Sequence, residues 1–246
     1  MANWNDTDQR QGFGSVPRAG DAVARQETFD AGLRAHMLKI YNYMASGVLL
    51  TGLVAMLTAR SGLALAFASG PLMWLVALSP LAFVFAMSFG VNKFSRGTLQ
   101  IMFWAFATVM GLSLSTIFLV YTGESIAATF FATAGAFAGL SLFGYTTKKD
   151  LSGWGSFLVM GVIGILIAMV INIFLQSAAL ELAVSILGVL IFAGLTAYDT
   201  QRIKAIYAEG DHSETHEKKA IMGALTLYLD FINMFIFMLQ LFGNRE

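Results

Sequence analysis

The chain has 246 residues, of which 57% are hydrophobic and only 12% are charged. Soluble domains are about 45–50% apolar and about 25% charged, so this composition excludes an ordinary soluble domain. The 15 basic and 15 acidic residues cancel, which excludes the basic surface of a nucleic-acid-binding protein. The absence of cysteine excludes disulfides and thiolate chemistry. The sequence therefore predicts an all-α, polytopic membrane protein.

Seven apolar runs are long enough to cross a bilayer, whose hydrocarbon core of about 30 Å needs roughly 17–25 helical residues. Residues 1–36 contain no such run and are predicted to form a flexible cytoplasmic tail, not a signal peptide. Residues 37–246 are predicted to form one seven-span domain. The predicted spans are 40–59, 72–90, 99–121, 126–145, 157–175, 182–198 and 221–242.

The basic residues predict the orientation of these spans. Thirteen of the 15 lie in the N-terminal segment up to Lys39 or in every second loop after it, and only Arg60 and Arg245 lie on the other side. Because basic loops stay on the cytoplasmic side, the N-terminus is predicted to be cytoplasmic and the C-terminus to be outside.

The fourth predicted span is rich in small residues and contains one G-x-x-x-G pattern, Gly135 and Gly139. Such a face lets two helices approach closely. Packing inside the chain and a dimer interface both agree with the pattern, and we favour packing inside the chain.

Two aspartates stand apart from the carboxylates of the loops and span ends. Asp199 lies at the inner end of the sixth span, and Asp230 lies about ten residues into the seventh. An ionised aspartate at the centre of a membrane helix costs about 2.5–3.5 kcal/mol, so Asp230 is predicted to face the bundle interior. Thr226 and Asn233 continue its polar stripe at helical spacing. Because the two spans are antiparallel neighbours, both carboxyl groups can lie at a similar depth.

Two carboxylates in contact cannot both ionise cheaply, so the pair would share a proton over part of the pH range. When ionised they repel each other and become ligands for a cation or a nearby base. By topology the nearest base is Lys93, at the inner end of the second span. Two simpler interpretations stay open: Asp199 as a boundary residue capped by Arg202, and Lys93 as an ordinary topology anchor.

Other membrane chemistries lack their residues. His36, His212 and His216 all lie outside the predicted spans, which excludes a Ser–His intramembrane protease. The seventh span has no lysine for a retinal Schiff base, and no phosphate-binding loop or EF-hand loop is present.

The segments that carry the two aspartates, 198–203 (YDTQRI) and 227–233 (LYLDFIN), resemble the Bax inhibitor-1 family, specifically its bacterial branch. Residues 145–152 (YTTKKDLS) also look typical of bacterial members. The resemblance covers residues 37–245 and implies a seven-helix bundle with a central last helix in the bacterial plasma (inner) membrane. It also implies a pH-sensitive calcium leak, with Asp199 and Asp230 as the pH sensor and a basic residue of the second helix competing for one of them. Bacterial relatives carry arginine there, whereas this chain has Lys93 at the best ungapped position.

The leading hypothesis is therefore a pH-sensitive Ca²⁺ leak pathway and not an enzyme. Asp199 and Asp230 would form the gate and bind the ion weakly, and Thr226 and Asn233 would line its path. We expect no resident cofactor; the expected partners are the lipid bilayer, Ca²⁺ and protons, with no nucleic acid.

Two alternative functions stay open. The first is an intramembrane aspartyl protease, although its Gly-x-Gly-Asp motif is replaced by Leu227-Tyr228-Leu229-Asp230. The second is a membrane regulator of a partner such as a quality-control protease.

Overall fold

The computed structural model describes residues 19–68, 70–208 and 210–245. Among them, seven helices are long and apolar enough to cross a membrane, which confirms the predicted all-α bundle with seven spans. A further helix, α2, has only five residues and is too short to cross a membrane. The helices are α1 (Ala19–Arg60), α2 (Leu63–Phe67), α3 (Gly70–Gly90), α4 (Arg96–Leu114, continued by a 3-10 segment Ser115–Leu119), α5 (Gly123–Thr146), α6 (Ser152–Leu175), α7 (Ala178–Ala205) and α8 (Ser213–Phe242).

The first helix begins well before the first predicted span. Residues 1–18 lie outside the described residues, but residues 19–36 are helical, which differs from the predicted flexible tail. Leu33, His36, Met37 and Ile40 are buried at the spacing of one helix face. The His36 ring lies 5.9 Å from that of His216 on α8, so this part of α1 packs on the bundle.

Short polar and glycine signals set the helix ends. Gly62 and Gly70 adopt left-handed backbone angles (φ of 80° and 66°), which permit the tight turns on either side of α2. Side-chain oxygens of Ser95, Thr122 and Ser177 accept hydrogen bonds from backbone N–H groups at the starts of α4, α5 and α7. These N-caps satisfy amide groups that have no partner within the helix.

The two ends of the bundle differ in charge. The end that carries, among other residues, Lys39, Arg96, Lys204 and Lys219 is called the basic end below. Arg60 and Arg245 lie at the opposite end. At the opposite end Arg245 pairs with Glu181, and its guanidinium lies over the Tyr121 ring. This contact ties the end of the chain to the starts of α5 and α7.

The last helix contacts α1, α4, α5 and α7. Its most apolar stretch is 67% buried, against 11% for α3 and for α6. Polar side chains on α8 are therefore met largely by protein, whereas α3 and α6 present apolar side chains outward, as helices in contact with lipid do.

The small-residue face of α5 is not used as predicted. Among the described residues, no atom of another helix lies within 4 Å of a Cβ built at Gly135 or Gly139, whereas a Cβ at Gly144 would meet the backbone of Ala197 on α7. Within the described residues, the close approach of α5 to another helix therefore occurs at Gly144, outside the G-x-x-x-G pattern. The G-x-x-x-G pattern does not form this contact because the orientation of α5 turns Gly135 and Gly139 outward.

Candidate functional site

Asp199 and Asp230 meet between α7 and α8. Both are buried, with 8% and 4% of their surface exposed. Their carboxyl groups lie within hydrogen-bonding reach of each other. Asp230 Oδ2 is buried and accepts no hydrogen bond from an N–H group or a hydroxyl group of any described residue. A single proton held between the two groups would supply the missing hydrogen bond, whereas full ionisation would place two buried negative charges in contact.

A cavity of about 460 Å³, with both polar and apolar walls, reaches Asp199 from the basic end. Asp199 and Thr226 contribute to its wall, and Arg202, Lys218 and Lys219 add three basic side chains. Asp230 does not contribute to the wall. Asp199 is therefore the member of the pair that the cavity reaches.

The predicted approach of Lys93 to Asp199 is not present in this structure. Lys93 lies exposed in the turn after α3, and it forms no ion pair within the described residues. Its neighbour Asn92 lines the cavity instead. The base that faces Asp199 is Arg202, which lies one helical turn further along α7, lines the same cavity and acts on Asp199 electrostatically. Sequence reasoning considered Arg202 only as a cap, although its i,i+3 spacing indicates proximity.

The polar stripe of α8 does not form a continuous polar path. Thr226 Oγ1 donates to Met222 O (3.1 Å), and Asn233 Nδ2 donates to Leu229 O (2.8 Å), so both side chains bond to their own helix. Further along the stripe, the Phe237 ring lies directly against the backbone of Gly188 on α7. This aromatic contact therefore occupies the α7–α8 interface between Asp230 and the opposite end.

A buried hydroxyl network, which sequence reasoning missed, holds α1 against α4 and α8. The Tyr228 hydroxyl lies 2.6 Å from Thr51 Oγ1, which in turn donates to Ala107 O (2.8 Å). Tyr228 is fully buried two residues before Asp230. Its position in the motif of residues 227–233 could have predicted this network, because a buried tyrosine hydroxyl needs a hydrogen-bond partner.

A second network joins α1, α5 and α7. Tyr41 OH lies 2.7 Å from Ser141 Oγ, which lies 2.9 Å from Thr200 Oγ1. Thr200 directly follows Asp199 in the chain. This network therefore helps to fix the part of α7 that presents Asp199 to the cavity.

Seven apolar helices and two buried aspartates in contact define a multi-pass helical membrane protein with an interior carboxyl site. A family model described as "Inhibitor of apoptosis-promoting Bax1" matches residues 33–246. The chain therefore belongs to the Bax inhibitor-1 family, as the two aspartate motifs predict.

Bacterial relatives match over nearly their full length. The inner membrane protein YbhL of Escherichia coli K12 is 46% identical over 220 residues, covering 88% of this chain and 94% of the relative. An uncharacterised protein of Caulobacter vibrioides is 48% identical over 229 residues, covering 88% and 92%. One of Rickettsia prowazekii is 44% identical over 226 residues, covering 91% and 95%.

Proposed function

We propose that this protein is a Ca²⁺ leak pathway of the bacterial inner membrane, gated by protonation of the Asp199–Asp230 pair. The observation that carries the proposal is the burial of two mutually contacting carboxyl groups, one of which, Asp199, lines a cavity at the basic end. An intramembrane ionisable pair is costly to keep, and such pairs usually serve ion or proton pathways. The name of the Escherichia coli relative supports the location in the inner membrane.

The proposed gate works through the charge of the pair. With one proton, the carboxyl groups are joined by a hydrogen bond, which holds α7 against α8 and keeps the Phe237 contact with Gly188 closed. Raising the pH removes that proton, and the two negative charges then repel each other across a buried interface. α7 moves away from α8, and a cation replaces the lost proton as the compensating charge.

The oxygens around the pair suit passage of Ca²⁺ better than storage. Calcium takes six to eight oxygen ligands, and a high-affinity site needs several fixed carboxylates. Within the described residues no cluster of three or more acidic or histidine side chains could hold a metal ion. Two carboxylates, Thr226 and water make a weak site from which the ion leaves readily.

The aspartyl protease alternative has less support. Leu227 is fully buried and Leu229 is partly buried, so bulky side chains flank Asp230 where such enzymes need room for a peptide backbone. Asp230 also lies outside the cavity wall. These two features favour an ion path over a site for a polypeptide substrate.

The test is Ca²⁺ flux into proteoliposomes over a pH series, with Asp199→Asn, Asp230→Asn and a control, Glu124→Gln. Glu124 is an exposed carboxylate at the opposite end, with no ion pair in the described part of the chain. We expect the wild-type leak to rise with pH and the Asp199→Asn leak to be nearly independent of pH, because the amide keeps the shape and removes the titration. Asp230→Asn should also raise the half-saturating Ca²⁺ concentration, and Glu124→Gln should behave as wild type.

Competition provides a second readout. Protons and Ca²⁺ use the same oxygens in this proposal, so raising the Ca²⁺ concentration should move the flux profile to lower pH. The proposal fails if both asparagine variants keep the wild-type pH dependence, or if Glu124→Gln removes it.

A further inference from the structure

A groove between α1 and α5 lies apart from the carboxyl pair and has a volume of about 560 Å³. Its floor consists of buried apolar side chains, including Met37, Met44 and Phe137. Its rim includes Leu38 and Leu142, which are 53% and 62% exposed. α1 and α5 both pack on α8, and the groove between them opens outward from the bundle.

The two polar side chains in the middle of the groove are hydrogen-bonded. Tyr41 and Ser141 both line it, and their hydroxyl groups bond to each other (2.7 Å) while Ser141 also bonds to Thr200. These two hydroxyl groups therefore leave no unpaired hydrogen-bonding group against a hydrocarbon chain. The remaining hydroxyl of the lining, that of Tyr145, lies at the basic end, where Lys204 lies over the tyrosine ring.

The length of the groove matches one leaflet of a bilayer. On α1 it extends from Arg34 to Ala45, which is about 16 Å at 1.5 Å per residue. One half of the hydrocarbon core is about 15 Å thick. An acyl chain that enters at one membrane surface would therefore occupy the whole groove.

The single charged residue of the groove lining is Arg34, at the basic end. Four bases at this end have carboxylate partners, whereas Arg34, like Lys93 and Lys204, has none within the described residues. The paired bases are Lys39 and Arg96 (both with Glu217), Lys218 (with Glu214) and Lys219 (with Asp211). A guanidinium matches a phosphate in charge and geometry, and its fork of N–H donors can hold two phosphate oxygens.

We propose that this groove binds one anionic phospholipid, with an acyl chain along α1 and α5 and the phosphate at Arg34. The proposal is independent of the Ca²⁺ pathway, because no residue of the carboxyl pair or of the cavity at Asp199 lines the groove. Charge complementarity at Arg34 and the length of one leaflet distinguish this occupant from a peptide or a second copy of the chain.

Native mass spectrometry of the full chain in nonionic detergent, titrated with phosphatidylglycerol, tests the proposal. Arg34→Gln removes the phosphate contact, and Arg60→Gln removes an exposed base at the other end of α1 as its control. Because a basic residue near a membrane surface contributes about 1 kcal/mol to anionic lipid binding, we expect about fivefold weaker binding of one lipid in Arg34→Gln only.

A second pair of variants tests the groove itself. Ala138→Phe fills it, whereas Ala136→Phe places the same ring on an exposed position of α5 outside the lining. We expect Ala138→Phe to abolish binding of the one phospholipid in the groove and Ala136→Phe to leave its binding unchanged. Equal losses in Arg34→Gln and Arg60→Gln, wild-type binding in Ala138→Phe, or displacement of the lipid by inorganic phosphate would each overturn the proposal.

Discussion

Gly144 fixes the distance between α5 and α7 close to the carboxyl pair. It lies against Ala197, two residues before Asp199. A Cβ built at Gly144 would meet the carbonyl oxygen of Ala197 first, and it would be 2.9 Å from both the carbonyl carbon and the Cα of Ala197. Ordinary van der Waals contact begins at 3.4 Å. Gly144→Ala therefore requires the two backbones to separate by at least about 0.5 Å, the difference between these distances.

The cost of this separation follows from two opposing effects. Overpacking of a rigid contact costs about 1–3 kcal/mol. Replacing a helical glycine by alanine gains about 1 kcal/mol of helix propensity. Gly139→Ala, on the open face of the same helix, receives only the gain. The free energy of unfolding should therefore differ between the two variants by about 1–3 kcal/mol, because the propensity gain is common to both.

Equilibrium unfolding in mixed detergent–SDS micelles, followed by intrinsic tryptophan fluorescence, measures this difference. Gly144→Ala should unfold at a lower SDS fraction than Gly139→Ala. Equal stability of the two variants would mean that α5 and α7 do not approach at Gly144, and it would refute the packing described here.

Three further predictions concern charge. Lys93→Gln should shift the pH dependence of Ca²⁺ flux if Lys93 approaches Asp199 in another state, whereas Arg60→Gln should not; identical behaviour would leave Lys93 as a topology anchor. In intact cells, a cysteine at position 244 should react with an impermeant reagent and one at position 15 should not, because the basic asymmetry places the N-terminus inside; the reverse pattern would contradict that orientation. The hydrogen bond from Lys219 lowers the pKa of Asp211 in the folded protein below its value in the unfolded chain. The ionised carboxylate therefore stabilises the folded state at any pH above the unfolded pKa, and this stabilisation is lost as the pH falls through the lowered, folded pKa. Asp211→Asn should therefore lower the melting temperature at neutral pH and have no effect in strong acid, and an equal loss at both pH values would contradict this.

The number and order of the spans were predictable because the cost of exposing backbone and polar groups to lipid imposes long apolar runs. The helix ends were less predictable because a helix continues into polar residues once its side chains find partners. α8 begins at Ser213, eight residues before the predicted span, and Glu214 and Lys218 form an i,i+4 ion pair (3.1 Å) in this extension. The five-residue α2 is too short to produce a periodic signal.

The rotation of each helix about its axis was much harder to predict. A G-x-x-x-G pattern shows that a close approach is sterically permitted, but not which neighbour is available at that face. α5 turns Gly135 and Gly139 outward and uses Gly144 instead. In a helix that is apolar on all sides, the sequence contains little information about which side meets protein and which meets lipid.

The same limit separates the predicted from the unpredicted parts of the candidate site. Asp199 and Asp230 were predictable because a carboxylate inside a span needs a partner in the bundle interior. Two antiparallel neighbouring helices place residues at the same membrane depth next to each other. The prediction that Lys93 is the base nearest Asp199 depends on membrane depth. A side chain at the correct depth reaches Asp199 only if its helix is also rotated towards Asp199. Arg202 needs no such assumption, since residues three apart on one helix always share a face. Spacing within a helix is therefore the stronger guide to a charge partner here, and it identifies the base that faces Asp199 in the cavity.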